Sequence, residues 1–252
     1  MSEYKDYSAI ARVYDKFNRE EIDYGAWADF IENCFDKFLS AKPEIVLDLA
    51  CGTGTMTRAL AKRGYDMIGV DASANMLSEA YANGAGERIL YLNQDMRSFE
   101  LYGTVGATVC CLDSLNYLVG DGELEKTFAT VHNYLDPDGL FVFDMNTPYK
   151  FENIYSDNAY VLEDEGVYCG WQNFYDRETR ICDFYLSLFE ENDDGSYSRS
   201  DEHQRERCYF ESEITDTLAK CGFELCGIYS DYSFSPAKDE DHRWFFVAKA
   251  KK

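Results

Sequence analysis

The segment from Val46 to Gly54 constrains the fold of this chain more than any other. It begins as an apolar run, passes through a turn of small residues and leads into a helical pattern that starts at Thr55. The next apolar run ends at Asp71. In α/β proteins, a strand, a tight turn and a helix, with an acid at the end of the neighbouring strand, form a nucleoside-binding edge. The sequence therefore predicts an α/β sheet that holds a nucleoside cofactor.

The spacing within this turn separates two classes of cofactor. A dinucleotide fold needs three glycines in the pattern G-x-G-x-x-G, and here the third position is Thr57. The turn is also preceded by Asp48, whose carboxylate suits a cationic ammonium group better than a pyrophosphate. The segment resembles motif I of the class I S-adenosylmethionine (AdoMet) dependent methyltransferases, acidic-x-Gly-x-Gly-x-Gly. Ala50 replaces the first glycine, and alanine tolerates a positive φ poorly.

The resemblance implies cofactor contacts at the ends of several strands. Cys51, Gly52 and Gly54 would surround the methionine half of AdoMet, together with Ala50 and with Asp48 near the ammonium group. The remaining candidate cofactor contacts are Tyr14, Trp27, Asp71, Ala72, Met76, Asp95, Met96, Leu112 and Ser114. The Asp71 carboxylate would accept both ribose hydroxyls, and the Asp95 carboxylate would lie beside the adenine amino group. S-adenosyl-L-homocysteine (SAH) would be the product.

Strand and helix patterns alternate regularly over residues 1–150, which predicts a parallel sheet covered on both faces. Residues 151–209 instead show long strand-like runs separated by turn residues, which predicts an inserted antiparallel sheet after the fifth strand. The expected fold class is α/β, a Rossmann-like seven-stranded methyltransferase sheet whose last strand is antiparallel. Residues 1–150 and 210–252 would form the AdoMet-binding core with N-terminal lid helices, and the insertion would cover the substrate.

Candidates for the methyl-transfer step lie outside the cofactor motif. Tyr14 and Trp27 precede the sheet, where the resemblance places lid helices, and their rings could attract the sulfonium by roughly 0.5 to 2 kcal/mol. In the insertion, strand alternation puts His203 and Arg207 on one face. If that face meets the cleft, the histidine is a candidate general base and the arginine a donor to an anionic acceptor. If it faces solvent, both pair with neighbouring acids.

The overall charge argues against polyanionic partners. The chain has 47 acidic and 24 basic residues, and the net charge of −23 repels nucleic-acid backbones and anionic membranes. The first residues are polar and acidic, and the apolar runs are only of strand length, so we expect no membrane anchor. Nine cysteines without C-x-x-C spacing indicate reduced thiols, a cytoplasmic protein and no metal site.

These features together predict an AdoMet-dependent methyltransferase (EC 2.1.1 class) that acts on an N or O nucleophile of a small molecule. Three alternatives remain open at this point. The chain could methylate RNA or protein, it could bind AdoMet without catalysis, or it could be an NAD-dependent oxidoreductase. Neither the identity of the acceptor nor the oligomeric state follows from the sequence.

Overall fold

The computed structural model describes residues 10–18 and 22–252. The strands of this part of the chain are β1 (Ile45–Leu49), β2 (Asp66–Asp71), β3 (Leu90–Asn93), β4 (Val105–Cys110), β5 (Leu135–Asn146), β6 (Ala159–Asp164), β7 (Val167–Asp176), β8 (Ile181–Glu191), β9 (Tyr197–Arg207), β10 (Phe223–Ser230), β11 (Ser235–Pro236) and β12 (Arg243–Ala250). The helices are α1 (Tyr14–Asn18), α2 (Tyr24–Phe38), α3 (Thr55–Ala61), α4 (Ala74–Asn83), α5 (Glu123–Tyr134) and α6 (Glu211–Lys220). A 3₁₀ turn covers Ser114–Tyr117, and a π-helix covers Lys150–Tyr155.

The large sheet has the strand order β11-β10-β12-β5-β4-β1-β2-β3. Strands β1 to β5 run parallel to one another, whereas β12 is antiparallel to both β5 and β10. The carboxyl ends of the parallel strands therefore meet at one edge of the sheet, which is where α/β proteins bind their ligands. The turn after β1 and the ends of β2, β3 and β4 lie together at this edge.

Helices cover both faces of the large sheet. On one face, Trp27 and Phe30 of α2 pack with Val46 and other strand residues. On the other face, Phe128 of α5 packs with Leu47 and its neighbours in the sheet. Successive strand residues point to opposite faces, so strands buried on both sides read as continuous apolar runs. This three-layer arrangement explains the apolar segments seen in the sequence.

A second, four-stranded antiparallel sheet has the order β6-β7-β8-β9. Its inner face is apolar along β8, where Phe184 and Leu188 join a core cluster with Phe151 and Tyr155 of the π-helix. Val13, which directly precedes α1, belongs to the same cluster. The second sheet thus packs onto the segment that follows β5 and onto the N-terminal segment, close to the carboxyl edge of the large sheet.

The predicted fold class is confirmed, including the antiparallel last strand and the added antiparallel sheet. The main differences concern strand β5 and the sheet edge. The apolar run Leu140–Asn146 predicts the fifth strand, but β5 already begins at Leu135. The chain pairs there with Val105 of β4, before an irregular stretch in which Asp138 has a φ of 59°. The sheet also has an eighth strand, since Ser235–Pro236 pairs with the end of β10.

Candidate active site

The turn after β1 has the backbone geometry that the motif predicts. Ala50, Gly52 and Gly54 have φ values of 58°, 53° and 73°. A Cβ on Gly54 would lie 3.1 Å from Cβ of Ala80 and would crowd the Tyr91 ring, so this glycine is required by packing as well as by φ. A Cβ on Gly52 would meet no atom within 4 Å, because that residue faces open space. Ala50 carries the strain, about 1 to 2 kcal/mol for a residue with a Cβ in this conformation.

Asp71 ties the end of β2 to this turn. One carboxylate oxygen accepts the backbone N–H of Gly52 at 2.8 Å, and the other accepts that of Ser73 at 2.7 Å. Burial raises the pKa of Asp71, and these two hydrogen bonds oppose that rise. The side chain is half-buried, and it forms part of the wall of the cleft described next. The carboxylate is therefore oriented by the protein backbone beside the open space in front of Gly52.

A cleft of 690 Å³ opens at the carboxyl edge of the large sheet. Its wall includes the following residues predicted to contact the cofactor: Tyr14, Ala50, Gly52, Asp71, Ala72, Met76, Asp95, Met96 and Ser114. These residues come from α1, from the turn after β1 and from the segments that follow β2, β3 and β4. The structure thus brings most of the predicted cofactor contacts into one cavity, as the meeting of parallel strand ends requires.

Asp48 and Thr57 form a buried pair beneath the turn. The Thr57 hydroxyl donates to the Asp48 carboxylate at 2.5 Å, and the two side chains are 1% and 0% exposed. Burial raises the pKa of Asp48 to about 7, and the hydrogen bond from Thr57 opposes this rise. Thr57, which stands at the third glycine position of the dinucleotide pattern, is therefore the donor that favours the ionised form of Asp48, the acid of motif I.

Asp95 lies in the cleft wall but is already engaged with a neighbour. Arg97 Nε approaches the two carboxylate oxygens of Asp95 at 2.9 and 3.1 Å, and its guanidinium also pairs with Glu123. The hydrogen bond from Arg97 is the main reason that the pKa of Asp95 lies below its usual value. An ionised acid held by an arginine thus occupies the position predicted for the adenine contact.

Several predicted cofactor residues do not line the cleft. Cys51 packs under α4 with Leu77 and Ala80, and Leu112 packs against the core cluster that contains α2. Trp27 is 2% exposed, and its ring lies 5.4 Å from the rings of Tyr232 and Phe245. The Trp27 ring thus lies in the core and not in the cleft wall, because helix α2 buries its aromatic face against the sheet.

The three candidates for catalysis have different surroundings. Tyr14 lines the cleft, and burial raises the pKa of its hydroxyl, so the group keeps its proton at neutral pH. His203 lies on the outer face of β9, where it contacts Asp183 at 2.6 Å and stacks on Tyr185 with ring centroids 4.4 Å apart. Arg207 points to Asp121 at 3.0 Å. The structure brings only the tyrosine to the cleft.

The face of β9 that packs into the core of the second sheet is the opposite one, although Arg205, which lies between His203 and Arg207 on their face, borders the cleft. Glu202, Gln204 and Glu206 are buried, with exposures of 6%, 7% and 3%. Gln204 Oε1 accepts the hydroxyl of Tyr117, a cleft residue, at 3.0 Å. Glu202 accepts the backbone N–H of Ile10 at 3.0 Å. The strand alternation was predicted, but which of its faces lies inside depends on how the second sheet packs.

A cluster of five charged side chains and one amide, buried or half-buried, lies next to the cleft at the ends of β4 and β5. Its members are Asp113, Asp144, Asn146, Lys150, Glu206 and Arg243, and we refer to it as the charged cluster. The guanidinium of Arg243 bridges the carboxylates of Asp113, at 2.6 Å, and Asp144. The amide of Asn146 accepts from Lys150 Nζ at 2.9 Å and donates to Glu206 at 2.9 Å. Ser114, which follows the first member of the cluster, lines the cleft.

Burial shifts the ionisation of these groups. It raises the pKa of Asp144 to about 6 and that of Glu206 to about 8, whereas it lowers the pKa of Lys150. Arg243 and Lys150 keep the pKa of Asp113 below its usual value although burial opposes this. Perturbed carboxyl groups of this kind concentrate at functional sites.

Sequence reasoning missed most of the charged cluster, although one signal for it was present. Asp144 and Asn146 interrupt the apolar run of β5, and Arg243 directly precedes the apolar run of β12. Polar residues inside strands that are otherwise continuous and apolar are costly unless they are paired. Such interruptions at strand ends were the pointer to a buried polar site.

Comparison with known proteins identifies the family. Residues 46–139 match the family model described as a methyltransferase domain. The crystal structure of an S-adenosylmethionine-dependent methyltransferase from Clostridium acetobutylicum ATCC 824 is 30% identical, with a TM-score of 0.88 and coverage of 98% of this chain and 99% of that chain. The chain belongs to the class I AdoMet-dependent methyltransferases.

Two further relatives of this methyltransferase differ in how much of it they match. The protein YqeM of Bacillus subtilis (strain 168) is 32% identical over 250 residues, which cover 98% of both chains. The dTDP-3-amino-3,6-dideoxy-alpha-D-glucopyranose N,N-dimethyltransferase of Streptomyces fradiae is 31% identical over 148 residues, 55% of this chain and 54% of its own length. The first similarity extends over the inserted sheet as well as the core, and the second covers about half of the chain.

The cleft of this methyltransferase fits AdoMet. Gly52 leaves open space where a larger side chain would intrude, and Asp71 presents a carboxylate beside it. We expect these two residues to hold the cofactor with Met76 and Met96, which supply apolar surface to the same wall. When bound, AdoMet supplies an activated methyl group on a sulfonium, so the protein mainly has to position a nucleophile.

Proposed function

We propose that this methyltransferase transfers the methyl group of AdoMet to a nitrogen atom of a small molecule. The observation that carries the proposal is the excess of carboxyl groups over cations in the cluster beside the cleft. Three carboxyl groups, those of Asp113, Asp144 and Glu206, face two cations, Lys150 and Arg243. A buried site with surplus acid is complementary to a cationic ligand, and a protonated amine is such a ligand.

The enclosure of the site supports a small acceptor. The second sheet and the N-terminal segment both lie over the cleft edge, since Glu202 of β9 binds Ile10 and Asp15 of α1 accepts the hydroxyl of Thr53 at 2.7 Å. A covered site of this kind suits a ligand that is buried on most sides. The Streptomyces fradiae relative is an N,N-dimethyltransferase of an amino sugar, which agrees with a nitrogen nucleophile. The net charge of −23 opposes an RNA acceptor.

The division of the chain and its location complete the proposal. Residues 1–150 and 210–252 would form the cofactor-binding core, and residues 151–209 would cover the acceptor. All nine cysteines are free thiols and most are buried, which supports a reducing, cytoplasmic setting. Among the residues that the structure describes, no helix is long and apolar enough to cross a membrane.

The experiment is a methylation assay with radiolabelled AdoMet and matched pairs of compounds that differ in one group. Suitable pairs are glucosamine with glucose, ethanolamine with ethylene glycol, and glycine with glycolate. The expected result is label in an amine and none in its hydroxyl counterpart, with an Asp71→Ala variant as background. Label in the hydroxyl members alone, or only in added RNA or protein, would refute the nitrogen acceptor.

A further inference from the structure

The inner face of β9 carries a row of polar side chains, whereas the positions opposite them on the neighbouring strand β8 are apolar. Glu202, Gln204 and Glu206 lie directly opposite Leu186, Phe184 and Cys182 of β8, and all six side chains are buried. Burying carboxylates and amides among apolar neighbours is unfavourable unless each has a partner. The row therefore needs an explanation, position by position.

The first two positions are explained by contacts that hold the fold together. Glu202 accepts the N–H of Ile10, and Gln204 donates to Glu202 at 3.0 Å while it accepts from Tyr117. These bonds connect the N-terminal segment, the second sheet and the cleft wall. Glu206 has a different environment, because it points into the charged cluster and not towards the N-terminal segment.

The carboxylates of the charged cluster have different partners: Asp113 and Asp144 pair with a cation, and Glu206 pairs with an amide. Arg243 pairs with both Asp113 and Asp144, whereas Glu206 accepts from the Asn146 amide at 2.9 Å. The cation nearest to this amide is Lys150, on its opposite side. Within the described part of the chain, the buried Oδ1 of Asp144 also has no hydrogen-bond partner. Both observations indicate that the cluster lacks one positively charged donor.

The titratable and charged groups that act on Glu206 come from several elements packed around it. They are Asp113 after β4, Lys150 and Tyr155 of the π-helix, Cys182 of β8 and Arg243 of β12. Burial, and next the charge of Asp113, raise the pKa of Glu206 to about 8, against the opposing effects of Asn146, Lys150 and Arg243. A carboxyl group in this range can exchange a proton near neutral pH, which is the property of a general base.

We propose that Glu206, in the charged cluster next to the cleft, is a catalytic residue that receives the proton of the acceptor ammonium group. This inference rests on the proposed function. The N–H bond of the ammonium breaks, its electron pair stays on nitrogen, and an O–H bond forms on the Glu206 carboxylate. The free amine is then the nucleophile for the methyl group, and the sulfur keeps the electron pair of the broken C–S bond. The proton on Glu206 leaves to solvent when the methylated ammonium product departs.

The test uses the full chain loaded with SAH and ¹³C-labelled methylammonium as the probe. Isothermal titration in phosphate and in Tris at pH 7 measures binding and the protons released with it. Because the cation stabilises the Glu206 carboxylate, we expect proton release at pH 7 that disappears at pH 9, where the group is already ionised. Absence of methylammonium binding, or binding without proton release at pH 7, would overturn the proposal, and neither result depends on a variant that folds.

Two variants test whether the proton release comes from Glu206. Glu206→Gln keeps an acceptor for Asn146 but removes the charge, so we expect loss of proton release and at least a tenfold weaker binding of methylammonium. Asp201→Asn removes one charge from the exposed face of the same strand and should match the wild type. An unchanged Glu206→Gln variant, or an Asp201→Asn variant with the same loss, would contradict the role of Glu206.

A final readout separates this inference from the proposed function. With AdoMet in place of SAH, nuclear magnetic resonance follows the conversion of ¹³C-methylammonium to dimethylammonium. Conversion that is equally fast in wild type and Glu206→Gln would remove the catalytic role and leave the nitrogen acceptor intact. Methylation of the hydroxyl compounds and of no amine would remove both.

Discussion

Replacement of Asp71 by alanine is expected to weaken AdoMet binding by about ten- to a hundredfold. The carboxylate lines the cleft and is oriented by the N–H groups of Gly52 and Ser73, at 2.8 and 2.7 Å. Hydrogen bonds to a charged acceptor contribute about 1.5 to 3 kcal/mol. Asp71 is half-buried, and water can replace part of the lost hydrogen bonding, so we assign about 1.5 to 3 kcal/mol to both ribose hydroxyls together. Each 1.4 kcal/mol corresponds to about a tenfold change in affinity.

The same substitution has a structural cost that must be measured separately. Two backbone N–H groups lose their acceptor, and because both residues are half-buried we expect a loss of about 1 to 2 kcal/mol in the free energy of unfolding. Asp71→Asn keeps one acceptor oxygen and should fall between wild type and Asp71→Ala in both quantities. Asp66→Ala is the matched control, since it removes an exposed charge at the other end of β2.

Isothermal titration with AdoMet and with SAH measures the affinities, and urea denaturation measures stability. A folded Asp71→Ala variant whose dissociation constant for AdoMet stays within twofold of wild type would refute the ribose assignment. An equal loss in Asp66→Ala would show that net charge, and not the contact, controls binding.

Substitutions at three further positions test the motif and the buried acids. Thr57→Val removes the hydrogen-bond donor to Asp48, whose pKa is already about 7. The affinity for AdoMet, measured by calorimetry, should therefore fall about tenfold at pH 7 and recover at higher pH. Thr57→Ser keeps the donor and should keep the affinity. Ala50→Gly should stabilise the protein by about 0.5 to 1 kcal/mol, because glycine adopts the positive φ without strain, and a lower urea midpoint would contradict this. Glu206 has a folded-state pKa of about 8 against an ordinary value of 4.5, so the folded state binds the extra proton between these values. Its contribution to stability is complete below pH 4.5 and is lost as the pH rises through 8, and Glu206→Gln should flatten that fall in the urea midpoint.

Local signals in the sequence located the secondary structure and the cofactor turn. Apolar runs and caps predict a strand over Ile45–Leu49, a helix over Glu123–Tyr134 and a strand over Arg243–Ala250, and β1, α5 and β12 have these bounds because such signals are local. The turn from Ala50 to Gly54 was predicted for the same reason, since positive φ angles require residues with small side chains or none. The role of Thr57 was only half understood: its spacing argued against a dinucleotide, but its bond to Asp48 was not foreseen.

The face of β9 shows what a local pattern does not contain. Alternation with a period of two separates His203 and Arg207 from Glu202 and Glu206, but it is symmetric with respect to inside and outside. The packing of the second sheet on the π-helix decides which face lies inside. It buries the glutamates and leaves the histidine on the outer face. Trp27 is a similar case, because only the packing of α2 shows that its ring lies in the core.

The sequence by itself determined the fold class and the cofactor, because both depend on short segments with strict backbone requirements. The tertiary structure alone assembled the charged cluster, whose members extend from Asp113 to Arg243 and come from β5, β9, β12 and the segments after β4 and β5. No spacing rule relates residues so far apart along the chain. Their charges acquire chemical meaning only when burial removes water and shifts their pKa values, which is a property of the folded molecule.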